Sequence, residues 1–65
     1  MKFTCKINMD TTAFQGGNLY PSIEAELAYL LRVIADENEQ EGLRNGSVVD
    51  SNGTFVGHWE IEEVD

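Results

Sequence analysis

One histidine, one cysteine and a surplus of carboxylates are the side chains in this 65-residue sequence with chemistry to offer. His58, Glu60 and Glu62 recur at every second position. On an extended strand that spacing sets all three on one face, where an imidazole and two carboxylates could converge on a divalent ion. Tight metal sites draw ligands from more than one element and need a supporting shell, so the trio reads instead as a solvated strand face whose histidine is screened by its acidic neighbours. Cys5 alternates with Phe3 and Ile7 on an apolar face and has no histidine near it in sequence, which makes it an inert buried thiol rather than a nucleophile. Asp50-Ser51-Asn52-Gly53 matches the start of a calcium loop but lacks the remaining ligands and the terminal glutamate, so it is a turn. Gly16-Gly17 is too short to cradle phosphate, without a following lysine or the glycine spacing of dinucleotide sites. No catalytic constellation, metal or cofactor is expected, and the chain reads as non-enzymatic.

The charge balance narrows the partners. Twelve acidic residues against four basic ones give a formal net charge of −8. Binding nucleic-acid phosphates needs a Lys/Arg face, and only Lys2, Lys6, Arg32 and Arg44 are present, so direct nucleic-acid binding is not expected. No apolar run approaches the roughly 20 residues of a membrane span. A lone cysteine makes no internal disulfide, and the default compartment is a reducing cytoplasm. At this length the chain is a single domain over residues 1–65, burying only about 60% of the surface its unfolded form exposes.

Three segments position these residues. From Lys2 to Asp10 the pattern alternates, with Phe3, Cys5, Ile7 and Met9 on one side of a half-buried strand. A loop with one anchored aromatic, Phe14, follows through Gly16, Gly17 and Asn18. Pro21 suits a first helical position, with Ser22 as a competing N-cap and Glu24 and Glu26 in the first turn. Ile23, Leu27, Leu30, Leu31 and Ile34 then form a helical stripe, which Gly42 stops after about five turns. Glu37, Glu39 and Glu41 crowd the carboxyl end, where the helix dipole prefers cations. They form either a solvated, fraying end or an acidic patch kept for a basic partner. Ser47 to Val64 is a hairpin turning at Asp50 to Gly53, with Val49 opposite Phe55 and Val48 opposite Val56.

The order strand, helix, strand, strand predicts a two-layer α+β domain: one helix on a three-stranded antiparallel/mixed sheet in spatial order 1-3-2. The expected core is Phe3, Cys5, Ile7, Ile23, Leu27, Leu30, Leu31, Ile34, Val49, Phe55, Trp59 and Ile61. A single helix covers one sheet face, so Val48, Val56 and Val64 would show on the other beside Thr4, Lys6, His58, Glu60 and Glu62. That open face and the barely charged second strand favour a homo-oligomer, formed either face to face through the open sheet face or by edge pairing. Tyr29 and Val33 either widen the helix's binding face or pack as peripheral core under the Phe14 loop.

The run from Lys2 to Asp10, the Ala13-Phe14 pair, the helix core from Leu27 to Ala35 and the closing run from Asp50 to Ile61 resemble a group of small acidic proteins encoded in phage and prophage genomes. Those proteins have no assigned activity, so the resemblance carries over no functional residue. It implies a bacterial host cytoplasm during infection or lysogeny.

The leading expectation is a protein-binding chain that modulates a host or phage protein, with an anti-defence inhibitor acting on a basic surface as one form of it. The residues expected at the partner are Glu37, Glu39, Glu41, Val56, His58, Glu60 and Glu62. The alternatives are a homo-oligomer sequestering a small signalling ligand and a minor structural or assembly protein.

Overall fold

Alternation makes the first strand, and helix periodicity the layer above it. In the computed structural model, which describes residues 1–15 and 20–63, β1 (Lys2–Ile7) leads through a 3-10 turn (Thr12–Gln15) to α1 (Ile23–Gln40), β2 (Asn45–Val49) and β3 (Phe55–Glu62). The longest strand, β3, lies between the other two and is antiparallel to both, giving the order β1-β3-β2. The protein is a two-layer α+β domain, one helix on a three-stranded sheet. The glycines and asparagine expected in the first loop, Gly16, Gly17 and Asn18, and the strand-end residue Val64 lie outside the described residues.

The first strand is shorter than its alternation suggests. Asn8 still donates its N–H to the Val56 carbonyl at 2.7 Å, but its side-chain oxygen accepts from the Asp10 N–H at 3.0 Å and turns the chain away. The anchored aromatic is in place, with Phe14 buried on the 3-10 turn. Of the two candidate helix starts, Ser22 is the one used. Its extended backbone and a hydroxyl accepting from the Ala25 N–H at 3.1 Å cap α1, leaving Pro21 outside rather than at the first helical position. At the other end Glu41 caps the helix and Gly42 takes φ 68°, as its place just past the last turn requires.

The hairpin turn forms as its residues dictate. Gly53 donates to the Asp50 carbonyl at 2.9 Å, Asp50 donates to the Thr54 carbonyl at 2.9 Å, and Gly53 sits at φ 87°. Val49 pairs with Phe55 as expected, but Val48 pairs with Gly57, not Val56. Val56 is therefore a surplus residue in β3, a bulge at which the two-residue alternation slips by one. The slip corrects the expected face assignment. Val48 and Val56 turn toward the helix and are buried, whereas Val49 and Phe55 point outward at 46% and 65% exposure.

The core is Ala13, Phe14, Leu30, Ile34, Val48, Val56 and Trp59, with Cys5, Ile7, Met9, Leu27, Tyr29 and Ile61 packed around it. Three further residues expected inside are exposed. Phe3 shares the face of Trp59 but is 57% exposed, because α1 packs over β2 and the 3-10 turn and leaves that end of β1 open. Leu31 stands about 100° round the helix from Leu30, off the buried line of Glu26, Leu30 and Ile34. Ile23 opens the helix and borders a surface cleft with Met9, Phe14 and Pro21. Tyr29 is peripheral core, stacked on Tyr20 at a centroid distance of 5.0 Å, while Val33 is exposed. Gly57 fixes the sheet spacing, because a Cβ there would run into the Lys6 carbonyl of β1.

Candidate functional site

Backbone connectivity gathers at one end of the molecule the acids that stand far apart in sequence. The Leu43 N–H reaches the Glu37 carbonyl at 3.2 Å, and the Ile61 N–H reaches the Arg44 carbonyl at 2.7 Å. These bonds hold the carboxyl end of α1, the start of β2 and the end of β3 together. Lys2 of β1 pairs with Glu62 at the same end. Glu39 and Glu41 on the helix end and Glu62 and Glu63 on the strand end are exposed there, with Asp36 one turn back. The cations among them are Lys2 and Arg44, and Arg44 makes the one ion pair found among the described residues, to Glu63 at 3.2 Å. An exposed pair of this kind adds little stability and leaves the local charge strongly negative.

Glu37 differs from its neighbours. It is half-buried and accepts a hydrogen bond from the indole Nε1–H of fully buried Trp59 at 3.3 Å. Gly46 makes the contact feasible, since a Cβ there would lie 2.8 Å from that nitrogen. Part of Glu37's acceptor capacity is thus used within the fold, and it is less available than Glu39 or Glu41.

His58, Glu60 and Glu62 share the uncovered sheet face, as their spacing implies. His58 is exposed between Lys6 and Ser47, Glu60 is half-buried between Thr4 and Asn45, and Glu62 stands opposite Lys2. Among the described residues no three of His, Cys, Asp and Glu are grouped to hold a metal ion. Val56, expected beside them, is a core residue on the opposite face and leaves the contact set. Cys5 is half-buried, and desolvation pushes its thiol pKa up, against thiolate chemistry.

The acids at the hairpin end have little signature in the sequence. Glu26 is fully buried and accepts from the Ser51 hydroxyl at 2.6 Å and the Ser51 N–H at 2.8 Å. Buried Asp50 accepts from the Thr11 hydroxyl at 2.7 Å and from the Asn52 and Thr54 N–H groups, each at 2.9 Å. Burial alone would raise the Asp50 pKa. The Thr11 hydroxyl and the turn N–H groups of Thr54, Asn52 and Gly53 outweigh it and hold the carboxyl below its usual range. One signal was available for Glu26, which lies in line with Leu30 and Ile34 at i, i+4 and i+8, a carboxylate on the buried stripe itself.

A cleft of about 640 Å³ opens beside the helix start, lined by Met9, Asp10, Phe14, Gln15, Pro21, Ser22 and Ile23. Its one charged side chain among these is Asp10, which gives an anionic ligand nothing to pair with. No helix among the described residues is long and apolar enough to cross a membrane. Comparisons with protein-family models, with curated proteins and with solved structures return no match.

Proposed function

We propose that this chain is a non-enzymatic, phage-type binding protein of the bacterial cytoplasm. It modulates a host or phage protein by laying its acidic end on that protein's basic surface, as an anti-defence inhibitor would. The supporting observation is the convergence of Glu39 and Glu41 at the end of α1 with Glu62 and Glu63 at the end of β3, against only Lys2 and Arg44. Charges kept exposed at the carboxyl end of a helix cost stability, and here they add to a second acidic run instead of being neutralised. Their summed field reaches about 8 Å at physiological salt, so it steers a basic partner into contact and weakens as salt rises. His58 and Glu60 border this end on the open sheet face and are the next residues the partner would meet.

The test is affinity capture from bacterial lysate with the wild type and with a variant carrying Glu39→Gln, Glu41→Gln, Glu62→Gln and Glu63→Gln, at low and high salt. The expected result is a basic protein retained by the wild type at low salt and released by salt or by the substitutions. Capture indifferent to both removes the electrostatic reading.

A further inference from the structure

The two edges of the sheet are not equivalent. On either side of β2 the backbone points to the β3 side, the Arg44 carbonyl accepting from Ile61 and the Asp50 N–H donating to Thr54, the residue before β3. Peptide groups alternate in direction along a strand, so Gly46 and Val48 point the same way and the N–H and C=O groups of Asn45, Ser47 and Val49 face outward. All three residues are exposed, and none of their backbone groups has a backbone partner among the described residues. The strand Asn45–Val49 carries no charged side chain in a protein of net charge −8. Edge strands that resist pairing carry lysine or another inward charge, a proline or a covering element. The opposite edge, β1, has two such lysines, Lys2 and Lys6. Asn45–Val49 has no lysine, other charge or proline, and no element covers its outer edge among the described residues.

We infer that β2 is the pairing edge of a homodimer, in which a second copy adds antiparallel about Ser47 and joins the two sheets into one. This register follows from which backbone groups are free. Centred on Ser47, the outward groups of Asn45, Ser47 and Val49 meet those of the partner's Val49, the partner's Ser47 and the partner's Asn45, and every one of them is bonded. Centring on Gly46 or Val48 leaves an end residue of each strand unpaired. Side-chain parity agrees, because Asn45, Ser47 and Val49 all lie on the uncovered face, opposite Glu60, His58 and Phe55. Charge agrees as well. The acidic end lies at the start of β2, so antiparallel pairing sets it beside the partner's hairpin tip, whose loop residues Ser51 to Thr54 are uncharged. A parallel pairing would instead stack the two acidic ends. The exposed Val49–Phe55 pair of each copy then flanks the joint on the outer face.

Sedimentation equilibrium and native mass spectrometry of the whole chain test this, with Ser47→Pro as the breaking variant, since the N–H it removes has no partner among the described residues. A second variant, Ser47→Cys with Cys5→Ala, places the two new thiols across the two-fold axis, within the roughly 4.4 to 6.8 Å Cα separation that a disulfide spans. The expected result is twice the chain mass for the wild type, the single-chain mass for Ser47→Pro with an unchanged far-ultraviolet spectrum, and a crosslinked dimer for the Ser47→Cys chain under mild oxidation. Should Ser47→Pro fail to fold, the crosslink decides alone. A wild type at single-chain mass at every concentration overturns the inference. So does a dimer that survives Ser47→Pro, or one in which the Ser47→Cys chains do not crosslink.

Discussion

The two ends of this molecule use the same side-chain chemistry in opposite ways. At the hairpin end Asp50 and Glu26 are buried, and each carboxylate is bound by donors from the turn or from Thr11. These bonds tie the exit of β1, the helix and the β2–β3 turn to one another. At the far end Glu39, Glu41, Glu62 and Glu63 stand in solvent, with Arg44–Glu63 as their ion pair. A carboxylate that is buried and fully bonded belongs to the fold, because removing it orphans its donors. One that is exposed, crowded by like charges and placed against a helix dipole weakens the fold slightly and is free to serve a partner. Glu37 lies between these cases, exposed in part yet bonded to Trp59.

Mutation can break this contrast at either end. Asp50→Ala is expected to have the largest effect, about 3 kcal/mol lost in urea unfolding, since three donors lose a charged acceptor. Glu26→Ala follows at about 2 kcal/mol, orphaning the Ser51 N–H and hydroxyl and opening space beneath α1. Acid separates the ends without mutation. The folded-state pKa of Asp50 is lowered, so its contribution is fully present above the ordinary aspartate value and is lost as pH falls through the folded value. Urea midpoints taken at successively lower pH should therefore fall more steeply for the wild type than for Asp50→Asn.

Glu37→Ala is the intermediate case, expected to cost about 1 kcal/mol in thermal unfolding by leaving the Trp59 indole unpaired. The smallest change is Glu39→Gln with Glu41→Gln, a gain of about 0.3 kcal/mol per site because each removes an anion from the dipole's negative end. A clear loss of stability in that pair would show that the acidic end is structural, and the contrast would fail.

Most of the architecture was legible in the chain because each element carries its own local instruction. Phe3, Cys5 and Ile7 alternate, Leu27, Leu30 and Ile34 keep helical spacing, and Asp50 to Gly53 names its turn, as the matching positive φ at Gly53 shows. The face of β3 was not legible. Alternation counted back from Trp59 puts Phe55 inside and Val56 outside, and nothing in the residue types announces that one position is surplus. The exposed acids could be located as runs, but their convergence depends on strand order and on hydrogen bonds between segments remote in sequence. Glu26 and Asp50 were hidden for another reason. Each has an adequate local explanation, as a first-turn acid and as a turn-starting aspartate, and their burial follows only from how the hairpin meets the helix.

Val56 carries a consequence for how such a chain can vary. As the extra member of its strand, it could be deleted while Val48 stays opposite Gly57 and Val49 opposite Phe55. The cost would be one valine from the interior and the hydrogen bond it accepts from Asn8. Replacing it with a polar residue would instead force an unsatisfied group among Phe14, Leu30 and Trp59. At this point the fold tolerates a change in length better than a change in letter, so related chains should differ here by gaps before they differ by polarity.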